Sequence, residues 1–69
     1  MMLTVNGQPT GAPVPATVAA VVAGLTGHEE PVRGIAVAVN GTVVPRSAWP
    51  ATELRDGDAV EVLTAVQGG

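Results

Sequence analysis

The sequence predicts an α+β fold, in which one main helix packs on one face of a mixed sheet of about five strands. Apolar residues recur at alternate positions near both ends of the chain and in its middle, which is the spacing of strands. A single stretch between them repeats its apolar residues at helical spacing. With 69 residues, the chain has room for one domain with one small core.

The first two strands are predicted on either side of a tight turn. Residues 1–5 place Met, Leu and Val at alternate positions, as in a half-buried strand. Asn6-Gly7 then favours a reversal, because both residues tolerate positive φ. Residues 8–16 are predicted to return as a second strand, but their three prolines cannot donate ladder hydrogen bonds. We therefore expect an irregular strand at an edge of the sheet.

The helix is predicted to begin after Thr17, which is a favourable N-cap residue. Gly24 and Gly27 are expected to end it after about two turns. Packing must stabilise this helix, because valine and alanine predominate in it. Its predicted apolar stripe has the spacing i, i+3, i+4 and i+7 and consists of Val18, Val21, Val22 and Leu25.

A hairpin is predicted in the second half of the chain. Residues 35–39 alternate Ile or Val with Ala, and Asn40-Gly41 is the clearest hairpin signal of the sequence. Residues 42–44 supply the returning strand, which Pro45 closes.

Shorter elements are expected between this hairpin and the last strand. Residues 46–49 are predicted to form a single turn, and residues 52–54 a short extended piece. Trp49 is the one aromatic residue of the chain, and we expect it to cover the open end of a valine-rich core. Asp56 to Asp58 is interpreted as a turn, because two carboxylates supply too few oxygens for a hard cation. Residues 59–66 alternate again and form the last predicted strand.

The order of these elements predicts the topology. The last strand can lie beside the first strand, in parallel, with the helix as part of the crossover between them. This arrangement matches the ubiquitin-like β-grasp. We expect residues 1–66 to form this single domain and residues 67–69 to form a flexible tail.

Composition excludes several classes of function. The chain has no cysteine, so it can form neither a disulfide framework nor a thiolate metal site. Its three cations are arginines, against six carboxylates, and the net charge of −3 argues against nucleic-acid binding. No apolar run has the length of a membrane span, and no targeting segment is recognisable. We therefore expect a cytoplasmic protein.

The sequence ends in Gly68-Gly69, directly after the last predicted strand. Glycine has no Cβ, so such an end can enter a narrow slot on another protein. The terminal carboxylate is ionised near neutral pH and is an oxygen nucleophile, which suits its activation by a nucleotide. The alternative is a frayed end without a function.

The parity of the strands predicts a partner surface beside this end. If Val60 and Val62 face the core, the intervening positions face outward. An outward leucine among small alanines forms a low apolar patch, which often marks a binding site, although a single exposed leucine is also ordinary. The predicted outward residues are Glu61, Leu63, Ala65, Ala36 and Ala38.

The second half of the sequence resembles a known family. Residues 34–49 contain a strand that ends in Ala-Val-Asn, a hairpin, then Val-Pro-Arg and a tryptophan three residues later. Asp56 to Asp58 and the final Gly-Gly complete a pattern similar to the sulfur carriers of thiamine thiazole synthesis, the ThiS family. The resemblance covers nearly the whole chain and is strongest from residue 34 onward. The proline-rich second strand and residues 31–33 depart from the family pattern, but they do not affect the end of the chain.

The resemblance implies a protein substrate rather than an enzyme. In this family, an E1-like adenylyltransferase of the ThiF type uses ATP and magnesium to adenylate the C-terminal glycine. A sulfurtransferase or cysteine desulfurase system then supplies a persulfide, and the end becomes a thiocarboxylate. The carrier donates this sulfur to thiazole synthase, a ThiG-type enzyme. Carried over to this sequence, Gly69 is the modified residue, while Gln67 and Gly68 occupy the partner's channel. The carrier itself binds no cofactor.

Other functions are compatible with the same sequence. The small subunit of molybdopterin synthase shares the fold and the Gly-Gly end, but that family is richer in phenylalanine, which this chain lacks. A carrier that feeds another sulfur product is a related alternative. A ubiquitin-like modifier would be joined to other proteins, although the absence of lysine forbids lysine-linked chains of this protein. A structural interaction domain is the remaining possibility.

Overall fold

The computed structural model describes residues 1–27 and 34–64, which form five strands, one α-helix and one 3₁₀-helix. In the order β2-β1-β5-β3-β4, the strands make one mixed sheet. This architecture is the predicted ubiquitin-like β-grasp of the α+β class. The elements are β1 (Met2–Val5), β2 (Gln8–Gly11), α1 (Val18–Thr26), β3 (Ile35–Val39), β4 (Thr42–Val44), the 3₁₀-helix (Arg46–Ala51) and β5 (Ala59–Thr64).

The last strand, β5, lies at the centre of the sheet. It runs parallel to β1, with Val5 beside Val60, and antiparallel to β3, with Val37 beside Val62. The predicted parallel pairing of the first and last strands is confirmed. The predicted continuation of β5 through residues 65 and 66 lies outside the described residues.

β2 is an edge strand, as predicted, but it ends at Gly11 and not at residue 16. The prolines that follow it have no N–H to continue the ladder. Pro9 is tolerated within the strand because its register partner, Thr4, donates its own N–H to the Asp58 carbonyl on the opposite side, at 3.0 Å. The missing N–H of Pro9 therefore lies at the free edge of the sheet.

Helix α1 is closed at both ends by the residues expected there. The Thr17 hydroxyl accepts the Ala20 N–H at 3.2 Å, which is an N-cap. Gly27 adopts the left-handed conformation, with φ of 76°, and donates its N–H to the Ala23 carbonyl. Gly24, which was expected to help end the helix, lies within it.

The apolar stripe of α1 is buried at its beginning and exposed at its end. Val18 and Val22 are buried, and Val21 packs against the core. Leu25, the last residue of the predicted stripe, is 53% exposed. It lines an open apolar groove between the last turns of α1 and Thr10 of β2, which the sheet does not cover.

The 3₁₀-helix is longer than the predicted single turn and carries Trp49 into the core. Trp49 is 2% exposed, and its Nε1–H donates to the Val44 carbonyl at 3.0 Å. The Arg46 guanidinium lies 5.3 Å from the centroid of the indole ring, in cation–π range. The predicted core role of Trp49 is confirmed.

The extended piece after the 3₁₀-helix joins the chain to the beginning of α1. The Thr52 carbonyl accepts the Val18 N–H at 3.0 Å, and Leu54 donates to the Ala16 carbonyl at 2.8 Å. A single β-bridge between Thr17 and Glu53 lies between these bonds.

The core lies between the inner face of the sheet, α1 and the 3₁₀-helix. Among the described residues, no polar or charged side chain is buried in it. No helix in residues 1–27 and 34–64 is long and apolar enough to cross a membrane. The core consists of Leu3, Val5, Val18, Val22, Val37, Trp49, Leu54, Val60 and Val62.

Two leucines test this division between core and surface. Leu3 is 1% exposed and Leu63 is 64% exposed. Leu3→Ala should lower the free energy of unfolding by about 2–5 kcal/mol, because it leaves a cavity. Leu63→Ala should change it by no more than about 0.5 kcal/mol. Urea unfolding followed by circular dichroism measures both values, and similar losses in the two variants would contradict the assignment.

Candidate partner surface and the strand that leads to the C-terminus

Strand β5 joins the core to the segment that carries the predicted reactive end. Its inner residues, Val60 and Val62, are buried, while Glu61 and Leu63 are exposed. The predicted parity of the strand is therefore confirmed. The other predicted residues of this segment, Ala65, Gln67, Gly68 and Gly69, lie outside the described residues.

The outward residues of β5 and β3 lie side by side. Leu63 is the register partner of Ala36, and Glu61 is the register partner of Ala38. Ala36 is exposed and Ala38 is half-buried. Since alanine has a short side chain, Leu63 rises above its neighbour on β3.

Val43 extends this face to the edge of the sheet. It is the register partner of Ala38, and it is 71% exposed. Val43 is not among the predicted surface residues, although the two-residue turn at Asn40-Gly41 sets the register that places it beside Ala38. We call the set Val43, Ala38, Ala36, Leu63 and Glu61 the outer face.

The Asn6-Gly7 turn borders the outer face at the β1 side of β5. Asn6 has a φ of 51°, in the left-handed region that asparagine tolerates. The Val62 N–H donates to its Oδ1 at 2.8 Å, and its Nδ2 donates to the Val62 carbonyl at 3.2 Å. An open depression lies between this turn and Leu63.

The beginning of β5 is held by the second Asn-Gly turn. Asn40 has a φ of 50°, and its backbone N–H donates to the Ala59 carbonyl at 2.8 Å. The Ala59 N–H donates in return to Asn40 Oδ1 at 3.0 Å. Asn40 Nδ2 donates to Asp58 Oδ1 at 3.0 Å.

The predicted turn at residues 56–58 is confirmed. It leads into β5 and is hydrogen-bonded to the first residue of β1. Asp56 Oδ1 accepts the Met2 N–H at 2.7 Å, and Gly57 donates its N–H to the Met2 carbonyl at 2.8 Å. Asp58 Oδ2 accepts the Arg55 N–H at 2.8 Å. This backbone hydrogen bond and the one from Asn40 hold the pKa of Asp58 below its ordinary value of 3.8.

Asp56 and Asp58 accept backbone hydrogen bonds at this turn. In the described part of the chain, no group of three or more His, Cys, Asp or Glu side chains is arranged to hold a metal ion. What this side of the molecule offers is an exposed, weakly apolar face beside the strand that leads to the C-terminus.

The fold and this face define a small ubiquitin-like β-grasp protein, and comparison with known proteins gives its family. The model of the ThiS family matches residues 3–69, so the chain belongs to the ThiS family. No curated protein sequence matches this chain significantly.

Two solved structures are closely similar to this protein. The crystal structure of the thiamine biosynthesis protein ThiS from Geobacter metallireducens is 37% identical, with a TM-score of 0.78 and full coverage of both chains. A solution structure of a thiamine biosynthesis protein from the same organism is 36% identical, with a TM-score of 0.76, and the match covers all of this chain and 88% of that one.

The lowered pKa of Asp58 makes a prediction about acid stability. A carboxylate whose pKa is lower in the folded state stabilises the fold fully above its unfolded pKa. That contribution is lost as the pH falls through the folded value. Wild type should therefore be more stable than Asp58→Asn near neutral pH, and the difference should shrink once the pH falls below 3.8. Urea unfolding across this range measures the difference, and a constant difference would contradict the role of Asp58.

Proposed function

We propose that this protein is a sulfur carrier of thiamine biosynthesis and that its C-terminal glycine carries the sulfur as a thiocarboxylate. The observation that carries the proposal is the match to the ThiS family through residue 69, on a chain whose central strand leads toward Gly68-Gly69. In this role the protein is a co-substrate of partner enzymes and not itself an enzyme.

The proposed reaction begins with activation of the C-terminus. A carboxylate oxygen of Gly69 attacks the α-phosphorus of ATP, pyrophosphate leaves, and an acyl adenylate forms. Activation is needed because a free carboxylate is anionic and has a poor leaving group. In the acyl adenylate, AMP is a good leaving group. An E1-like adenylyltransferase of the ThiF type supplies the ATP site and the magnesium. Its use of ATP is consistent with the cytoplasmic location expected from the sequence.

Sulfur transfer follows on the same carbon. A persulfide of the sulfurtransferase or desulfurase system attacks the carbonyl carbon and displaces AMP. A second partner thiol then attacks the cysteine sulfur of this acyl disulfide. The sulfur–sulfur bond breaks, the two partner thiols join as a disulfide, and the thiocarboxylate is left on Gly69. A ThiG-type thiazole synthase takes up this sulfur. Since the sequence contains no cysteine, each thiol in this scheme belongs to a partner.

The outer face supports the proposal because it suits repeated docking. Leu63 and Val43 are large apolar residues that are 64% and 71% exposed, and they flank small alanines. Exposed apolar residues grouped beside a reactive end are typical of a contact surface. Glu61 lies among them and adds one negative charge, which favours a partner with a basic residue at that point.

The mass of the protein tests the proposed chemistry. We incubate the chain with its activating enzyme, ATP, magnesium and a sulfur source, and we measure its intact mass. The expected result is the replacement of one oxygen by sulfur at Gly69. A chain extended by one alanine after Gly69 is the control, and it should remain unchanged.

Three other results would contradict the proposal. Attachment of the chain to other proteins would support a modifier, and an unchanged mass of wild type would support a purely structural role. Sulfur transferred equally to the extended chain would show that the reaction does not need the Gly-Gly end.

Docking through the outer face is tested with two leucines on opposite sides of the molecule. Leu63→Asp should raise the KM for the carrier roughly tenfold in the adenylation reaction, because it places a charge in the contact. Leu25→Asp is the matched control, since Leu25 is likewise an exposed leucine, at 53% against 64% for Leu63, but lies on the helix side. Pyrophosphate release at varied carrier concentration measures KM. Equal KM values for Leu63→Asp and wild type would remove the outer face from the docking surface.

A further inference from the structure

Each of the two Asn-Gly turns is joined to β5 by hydrogen bonds from its asparagine side chain. Each turn follows a neighbour of β5: Asn6 follows β1, and Asn40 follows β3. Both asparagines adopt the left-handed backbone conformation, with positive φ, and the side-chain amide of each forms hydrogen bonds with the backbone of β5. The side chains of both asparagines lie outside the core and are not part of the outer face.

Asn6 extends the β1–β5 ladder beyond the end of β1. The carbonyls of Asp58 and Val60 accept the N–H groups of Thr4 and Asn6, at 3.0 and 2.9 Å. The next residue of β5 whose backbone N–H and carbonyl point toward the β1 side is Val62. The register of the two strands ends at Val5 and Val60, because the backbone turns at Asn6. The Asn6 side chain then supplies both an acceptor and a donor to Val62, as a further peptide group would.

Asn40 forms a similar pair of hydrogen bonds at the other end of β5, with its backbone N–H as the donor and its side chain as the acceptor. Its backbone N–H donates to the Ala59 carbonyl, and its side-chain oxygen accepts the Ala59 N–H. The two contacts therefore hold β5 on opposite sides, at its first residue and at its fourth. Asn6 acts nearer to the reactive end, since Val62 lies seven positions before Gly69.

We propose that Asn6 is a positioning residue for the reaction at Gly69. Among residues 1–27 and 34–64, its side chain makes the hydrogen bonds to β5 on the β1 side that lie nearest to the C-terminus, directly before Leu63 of the outer face. With Val62 held there, docking through Leu63 fixes the position and the direction of β5 relative to the partner enzyme. This assignment rests on the proposed sulfur-carrier function.

The expected consequence is a change in the chemical step and not in docking. The outer face remains when the Asn6 side chain is removed, so the carrier still binds its activating enzyme. The end of the chain then occupies the reactive position less often, and small errors of placement at reacting atoms cost large factors in rate. Loss of Asn6 should therefore lower kcat, whereas loss of Leu63 raises KM.

A matched pair of glycine variants tests the assignment. Asn6→Gly and Asn40→Gly each remove a side chain at the same turn position, and glycine adopts the positive φ of both sites without strain. We expect Asn6→Gly to lower the kcat of adenylation roughly tenfold with little change in KM. Asn40→Gly should keep the wild-type kcat. Hydrogen exchange should show faster exchange of the Val62 amide in Asn6→Gly and of the Ala59 amide in Asn40→Gly.

A second variant keeps the test valid if Asn6→Gly does not fold. Asn6→Asp retains an acceptor for the Val62 N–H and loses the donor to the Val62 carbonyl. Asn6→Asp should therefore have a kcat below that of wild type and above that of Asn6→Gly. If Asn6→Gly does not fold, the comparison is between Asn6→Asp and wild type.

The possible results separate this assignment from the function on which it rests. Wild-type kcat in both Asn6 variants, or an equal fall of kcat in Asn6→Gly and Asn40→Gly, would overturn the role of Asn6 and leave the sulfur-carrier function intact. A wild-type chain that is never adenylated would overturn the proposed function, and the role of Asn6 with it.

Discussion

The pairing of β5 with both β1 and β3 is the interaction on which the rest of the structure depends. It joins the last described strand to the first strand and to the middle hairpin, and so closes the sheet around a single core. A domain of this size buries little apolar surface and cannot lose one of these pairings cheaply. The same strand turns Val60 and Val62 toward the core and Leu63 toward solvent. The stability of the core and the exposure of Leu63 thus depend on the same register of β5.

The proposed division of labour follows from this arrangement. In the proposed function, the nucleotide, the metal and the attacking sulfur all come from partners, so the carrier would need no catalytic residues of its own. What it must contribute is a defined exit for its C-terminus beside a face that partners can bind. In the proposed role, Asn6 contributes to that exit, because its side-chain amide supplies Val62 with the acceptor and the donor that a further peptide group of β1 would have supplied.

Much of the fold could be predicted because its signals are local. Alternation identified the strands, and the Asn-Gly pairs identified the hairpins. Two differences from the predicted elements have physical reasons. β2 is shorter than predicted because the later prolines cannot continue a ladder, and Leu25 is exposed because it lines an open groove between the last turns of α1 and β2. Of the predicted site residues, Glu61, Leu63, Ala36 and Ala38 lie together on the outer face, and Val43 was missed although the hairpin register implied it.

The sequence by itself determined the α+β class, the parity of β5 and the chemistry available at the end of the chain, because each depends on residue type and short-range spacing. Only the tertiary structure decided that Leu25 is exposed and what the asparagine side chains bind. The bonds between Asn6 and Val62 join residues 56 positions apart, so no local pattern can predict them. They exist because the packing of the core brings the end of β1 beside the middle of β5, where backbone groups need partners.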